Sequence, residues 1–161
     1  MHRSIATVSL SGTLRQKLEA IAAAGFNGIE LFEADFINFN GTAADLGRVA
    51  ADLGLSIDLY QPFRDFEAMP EPQFRRSLDR AERKFDLMQA MGAPLVLCCS
   101  NTSPLTIDDP ALAGRNCMSW PSAPAAAACA SASRRWPGAA RLRFTARPGT
   151  SCVAPTIRAS A

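Results

Sequence analysis

The chain is poor in the residues that build the commonest catalytic centres. His2 is the only histidine among its 161 residues. No imidazole-based metal site can be assembled from it, and no cysteine nucleophile has a histidine partner. No Cys-x-x-Cys pair is present. The five cysteines, Cys98, Cys99, Cys117, Cys129 and Cys152, are odd in number and follow no secretory leader, which argues against a disulfide framework. Cys98 and Cys99 sit together in an apolar run and read as buried free thiols. No stretch approaches the ~18 apolar residues of a membrane span. Ser4–Leu10 is too short and too polar for a signal-peptide core, and no small-residue cleavage site follows it. The expectation is a soluble, cytoplasmic protein.

Acid is missing from the last third. All 15 Asp and Glu lie between Glu19 and Asp109. Residues 1–113 carry 10 Lys and Arg against those 15 acids, whereas residues 114–161 carry seven Arg and no Lys, Asp or Glu. The overall +2 charge is therefore the sum of an acidic front and a basic tail. A basic tail can bind polyanions, but such tails usually mix Lys with Arg, so a nucleic-acid partner is not the expected reading.

What is present in residues 1–113 is a repeating strand–helix rhythm. Strands are expected at Ser4–Ser9, Gly28–Phe32, Leu55–Tyr60 and Pro94–Cys99. Helices are expected over Leu14–Ala24 behind a Thr13 N-cap, from Thr42 through Leu53, and over Pro70–Met91. In the last of these Phe74, Leu78, Ala81, Phe85 and Met88 recur at spacings of four and three and share one face. A fourth helix starts near Asp108-Asp109-Pro110, with acid at its N-terminus and proline in its first turn. Strand–helix alternation means a parallel sheet with crossover helices. A doubly wound dinucleotide fold would place a Gly-x-Gly-x-x-Gly turn after the first strand, and Ser9-Leu10-Ser11-Gly12-Thr13 is not one. The helix-to-strand turns repeat instead as AAAGF, ADLGL and QAMGA. The expected fold is therefore α/β, a partial (β/α)8 barrel of about four strand–helix units.

Residues 114–161 hold 13 Ala, five Pro and seven Arg, with no period of 2 or 3.6. They read as an irregular tail. The genetic code offers a cause. With the frame moved back by one base and GC-rich codons, Arg115–Pro121 can read Glu-Leu-His-Glu-Leu-Ala. The stretch from Cys129 to Gly138 can read Leu-Arg-Val-Gly-Phe-Glu-Ala-Leu-Ala-Trp, and Pro148–Arg158 also yields a barrel-like segment. One constant shift restoring three such segments points to a frameshift near position 114.

The strings SIATVSLSGTLRQKLEAIAAAGFNGIELFEADF, LGLSIDLYQPFRDFE and PLVLCCSN resemble the xylose-isomerase-like TIM barrels, which include sugar-phosphate isomerases and epimerases. Within them, GIELFE, YQPFRDFE and LVLCCSN most resemble the bacterial 3-dehydroshikimate dehydratases. The resemblance implies a metal-dependent lyase that takes water from 3-dehydroshikimate to give protocatechuate in quinate and shikimate catabolism. Its substrate is a hydroxylated cyclic carboxylate. It further implies a divalent cation (Mg, Mn or Co) held by acidic and amide side chains on later strands. One ligand slot is occupied here by Arg134, where a hard cation needs oxygen. The expectation is that this chain binds no metal and lacks the catalytic centre, so no catalytic residue is assigned.

Barrel active sites form at the C-terminal ends of strands. That rule selects Ser9 and Ser11 after the first strand and Glu33, with Asp35 nearby, after the second. It selects Gln61, Arg64 and Asp65 after the third and Ser100 and Asn101 after the fourth. The substrate-binding set is Glu33, Gln61, Arg64, Ser100 and Asn101. Arg64 suits a carboxylate because a guanidinium binds one bidentately, although it could instead pair with Asp65 or Glu67 on the surface. Glu33 suits a substrate hydroxyl or an outer metal shell, or else caps a helix. Gln61 suits a substrate oxygen, and Ser100 and Asn101 do too but are equally good turn formers. Tyr60 reads as packing.

A closed barrel takes ~250 residues, so four units leave strands one and four as open apolar edges that promote self-association. Two other readings stand beside the dehydratase fragment. One is a fragment of a sugar-phosphate isomerase or epimerase. The other is a non-enzymatic half-barrel with a polyanion-binding tail. No membrane partner is expected.

Overall fold

The computed structural model describes residues 1–99, 101–119 and 128–132. Its strands are β1 (Ser4–Ala6), β2 (Gly28–Phe32), β3 (Ser56–Phe63), β4 (Leu95–Cys99) and β5 (Ala128–Ala132). Its helices are α1 (Leu14–Ala23), α2 (Glu33–Ile37), α3 (Ala43–Asp52), α4 (Glu71–Met91) and α5 (Pro110–Met118). The strands form one sheet in the order β1-β2-β3-β4-β5, which is chain order. β1 and β2 pair in parallel with Ser4 opposite Gly28, and β2 and β3 pair in parallel with Ile29 opposite Ile57 and Phe32 opposite Gln61. Sequential parallel strands joined by helices are the barrel pattern.

Local chemistry explains the punctuation. Thr13 and Thr42 each close a capping box, with Gln16 and with Asp45 respectively, so α1 and α3 begin where their threonines satisfy free N–H groups. Asp109 caps α5, its Oδ1 accepting from Ala111 N at 2.8 Å and Leu112 N at 3.1 Å, with Pro110 in the first turn. The AAAGF, ADLGL and QAMGA turns are three copies of one device. Gly25, Gly54 and Gly92 take φ of 75°, 70° and 78°, a left-handed conformation that glycine adopts without penalty. The next residue donates back to the helix in every case: Phe26 N to Ile21 O, Leu55 N to Ala50 O and Ala93 N to Met88 O. Each turn thereby ends a helix and aims the chain into the following strand.

The chain divides into two compact units. One is Met1–Pro62 with Lys84–Val96, and the other is Phe63–Arg83 with the chain from Leu97 onward. In the first, Ile29 and Leu31 are fully buried, as are Leu18, Ile21, Leu46 and Ala50 on the inner stripes of α1 and α3. Glu30 and Phe32, on the alternate face of β2, are only half-buried. Asp58 is an extra residue in β3, because Ile29 pairs with Ile57 while Glu30 pairs with Leu59. That bulge lets Ile57 and Tyr60, three apart, both be buried. In the second unit the rings of Phe63, Phe66 and Phe74 pack with centroids 5.8 and 5.4 Å apart.

Five features differ from expectation. The strand expected over Ser4–Ser9 stops at Ala6, and Thr7–Ser9 forms a single 3-10 turn. The cause is the buried Thr7, whose Oγ1 accepts from Phe32 N at 3.0 Å and diverts the backbone. β3 runs past Tyr60 to Phe63, and α2 follows β2 without any break. β4 is not an edge strand, because β5 lies beside it. Of the tail expected to be irregular, residues 114–118 complete α5 and residues 128–132 form β5, while the remaining expectations for it, including Arg134, lie outside the described residues.

Candidate active site

Glu33 is the first residue of α2, directly after β2. It does not cap the helix: Phe32 occupies the N-cap position and no side-chain cap is made. Its Oε1 pairs instead with Lys84 Nζ at 2.7 Å. Lys84 sits on the inner stripe of α4 with a side chain only 7% exposed, against 37% for Glu33. Its ammonium also donates to the carbonyl of Pro62 at 2.9 Å and lies 4.4 Å from the centre of the Tyr60 ring. A buried ammonium is tolerated only with such partners. Tyr60 is 1% exposed. Burial, then the charge and hydrogen bonding of Glu33, push its phenol well above the ordinary tyrosine value. The phenol therefore faces the carboxylate as a neutral donor. Phe36 of α2 meets the Tyr60 ring edge-on at 6.2 Å. Asp35 pairs with Lys17 of α1 at 2.8 Å, with side chains 15% and 7% exposed.

Gln61 lies opposite Phe32, the residue before Glu33, across the β2–β3 ladder of the first unit. Its Nε2 donates to Glu30 Oε2 at 3.1 Å. The Gln61–Pro62 peptide is cis.

Arg64 and Asn101 belong to the second unit. Arg64 is exposed, and its guanidinium has no hydrogen-bond or ion-pair partner among the described residues, neither Asp65 nor Glu67. Its carbonyl accepts from Arg80, whose guanidinium stacks over Phe63 at 4.8 Å. Ser77 Oγ donates to the carbonyl of Asp65 at 2.7 Å, holding that residue at φ 56°. Asn101 is tied to the preceding loop. Its N donates to Glu67 Oε1 at 2.6 Å, its Nδ2 donates to Glu67 O at 2.8 Å, and its Oδ1 accepts from Ser103 N at 2.9 Å. Asn116, buried on α5, accepts from Ala68 N at 2.9 Å. Ser100 lies outside the described residues.

The sequence reading did not single out Lys84, while Tyr60 is buried and packs edge-on against Phe36 as expected. The available signal was a lysine on the apolar stripe of α4, between Ala81 and Met88, where solvent is excluded. As for a metal, the described residues contain no group of three or more His, Cys, Asp or Glu able to hold one. Glu33 pairs with Lys84, Glu30 with Gln61 and Glu67 with Asn101, each acid with a different partner. The described residues thus do not fit the oxygen cage a divalent cation requires.

The model of the xylose isomerase-like TIM barrel family matches residues 18–142. The chain belongs to that family. It is 60% identical over 112 residues to a Pseudomonas aeruginosa protein named 3-dehydroshikimate dehydratase, a match covering 70% of this chain and 18% of that one. A Pseudomonas putida protein of the same name is 57% identical over 109 residues, covering 68% and 17%. The chain thus spans less than a fifth of the length of these curated relatives. Among solved structures, a xylose isomerase-like TIM barrel/4-hydroxyphenylpyruvate dioxygenase fusion protein is similar with a TM-score of 0.70 and 54% identity, covering 72% of this chain and 19% of that one. The IolI protein with a bound zinc atom shares the fold with a TM-score of 0.63 at 13% identity, covering 74% and 45%. No described helix is long and apolar enough to cross a membrane.

Proposed function

We propose that this chain carries the ligand-binding first units of a barrel of the 3-dehydroshikimate dehydratase type. On this reading it binds hydroxylated cyclic carboxylates and does not itself release water from them. The observation that carries the reading is the 60% identity over 112 residues to a protein of that name. The residues after the strands suit such a ligand one by one. Arg64 offers an exposed guanidinium for the carboxylate. Glu33 offers an ionised acceptor for a hydroxyl, and Gln61, Ser100 and Asn101 offer amide and hydroxyl groups of the turn-forming kind. Dehydration needs a base to remove a proton α to a carbonyl and stabilisation of the resulting enolate. No described residue is assigned either role. The family's divalent metal, whichever it is, belongs in this reading to residues other than those described. The frameshift near position 114 is part of the same reading, as is self-association through the β1 edge.

Two measurements test it. Calorimetric titration of the purified chain with quinate gives binding, weakened about tenfold or more by Arg64→Ala, the loss expected for a charge-assisted hydrogen-bond pair. Incubation with 3-dehydroshikimate gives no ultraviolet absorbance of an aromatic product, whereas the gene read through with the frame moved at codon 114, to a length that closes the barrel, gives a product that does. Turnover by the chain as written refutes the second half of the proposal, and absence of quinate binding refutes the first. Activity of the frame-restored chain on ketose sugars alone would favour the isomerase reading.

A further inference from the structure

We propose that Lys84 is a positioning residue, which fixes the Glu33 carboxylate as the acceptor for a ring hydroxyl of the bound ligand. The inference rests on the ligand class proposed above and adds a residue that touches no ligand itself. An ammonium has three donors and no acceptor capacity. Lys84 points two toward Glu33 Oε1 and Pro62 O, at 2.7 and 2.9 Å, and its remaining face lies against the Tyr60 ring. It is therefore saturated where it stands. A carboxylate, by contrast, has about four lone-pair sites. Lys84 and the Tyr60 phenol use two at most, and the remainder lies on the part of Glu33 that is still 37% exposed.

The surroundings also limit the freedom of this acceptor. The backbone bearing Glu33 is held at further points: Asp35 by the buried Lys17, and Phe36 by the Tyr60 ring. α2 has no buried residue of its own, so these contacts, rather than a core, set its place. A carboxylate held by a buried cation on a pinned turn loses little further freedom when it accepts a hydroxyl, which is how preorganisation raises affinity. An ordinary surface carboxylate has neither restraint.

Tyr60 supplies the readout, because it is the only tyrosine in the chain. The full 161-residue chain labelled with 13C at tyrosine Cζ gives one resonance, from the ring that faces both Glu33 and Lys84. The chain is titrated with quinate and with cyclohexanecarboxylate, which keeps the ring and the carboxylate but has no ring hydroxyl. The expected result is that quinate moves the Tyr60 resonance and cyclohexanecarboxylate does not. Glu33→Gln and Lys84→Met each weaken quinate about tenfold or more and leave cyclohexanecarboxylate affinity unchanged, the signature of one lost hydroxyl interaction. Should Lys84→Met fail to fold, Lys84→Gln, which keeps a donor for the Pro62 carbonyl and removes the charge, decides by the same comparison. Quinate binding that leaves the Tyr60 resonance unmoved overturns the inference while sparing the proposed ligand class. So does a Lys84 variant that weakens both compounds alike, which would mark a merely structural role. If neither compound binds the wild-type chain, the ligand class and the acceptor role fall together.

Discussion

Replacing Lys84 by methionine keeps most of the side-chain volume and removes the charge. Replacing Glu33 by leucine removes the other half of the pair. The structure makes these two changes unequal, because the lysine side chain is 7% exposed and the glutamate 37%. In Lys84→Met the carboxylate left behind reaches water and still faces the Tyr60 phenol. The loss is then close to that of a part-exposed ion pair, ~1 kcal/mol. The Pro62 carbonyl also loses a charged donor, ~1 kcal/mol more, so the total is about 2 kcal/mol. In Glu33→Leu a nearly buried ammonium loses its carboxylate and keeps the Pro62 carbonyl and the Tyr60 ring. Leaving a buried charge without its counter-ion costs about 3–5 kcal/mol. The double variant removes both charges, so its loss should fall well below the sum of the two single losses. Equilibrium urea unfolding followed by far-ultraviolet circular dichroism measures all three. A Lys84→Met chain less stable than Glu33→Leu would refute the reasoning, as would two single variants within about 0.5 kcal/mol of the wild type, the range of ordinary surface substitutions.

The remaining predictions use other groups. The only tyrosine should ionise well above its ordinary pKa of 10.0 in the native chain, seen as a late rise in absorbance near 295 nm, and at the ordinary value once denatured. Because the folded pKa is raised, Tyr60's contribution to stability is complete below the unfolded value and is lost as pH climbs through the folded one. Glu33→Gln should bring the transition part of the way down. Asp58 moves the opposite way: burial opposes its ionisation, but hydrogen bonds from Ser4, Ser56 and His2 outweigh it and lower the pKa from 3.8. Its contribution is present above that value and fades as pH falls through the native one, so Asp58→Asn should narrow the difference between urea midpoints at neutral pH and at pH about 3. Gly28→Ala should be destabilising by denaturant titration, since a Cβ there would strike the Asp58 carboxylate and approach Ser4 Oγ to 2.6 Å, forcing both side chains to shift. Gly54→Ala meets no atom within 4 Å but must hold φ 70°, and should cost about 1 kcal/mol by denaturant titration, from backbone strain alone.

The sequence carried the parts of the fold that local chemistry decides. Thr13 and Thr42 announced helix starts and Gly25, Gly54 and Gly92 announced helix ends, because a cap and a left-handed glycine act within four residues of themselves. α2 left no such mark. It has five residues and no buried face, and what holds it comes from α1, β3 and α4. β4's neighbour was equally invisible, since the Ala-rich segment that forms β5 has no strand period. Among the binding candidates, the strand-end rule picked Glu33, which directly follows β2, and Gln61, which lies within β3 near its end, but said nothing of their partners. Asn101 shows the limit of that rule, as its N and Nδ2 are engaged by Glu67 of the preceding loop and its Oδ1 by Ser103.

The strings that carry the family likeness also hold a cluster of buried and half-buried polar groups. GIELFE holds Glu30 and Glu33, and YQPF holds Tyr60, Gln61 and the Pro62 carbonyl. These residues are bound to one another or to Lys84: Gln61 to Glu30, Glu33 to Lys84, Pro62 to Lys84, Tyr60 against both charges. A polar cluster on a sheet costs stability unless every member is satisfied, so changing one member leaves another exposed to the low dielectric. An apolar core tolerates exchange of one hydrocarbon for another far more readily. The cluster and the glycine turns therefore differ in kind. The turns define where each strand begins, and any barrel can reuse them. The Glu33–Lys84 pair fixes one charged oxygen at one strand end, which is a constraint a ligand can read. If amide hydrogen exchange in α2 were as fast in the wild-type chain as in Lys84→Met, that separation between scaffold and site would not hold.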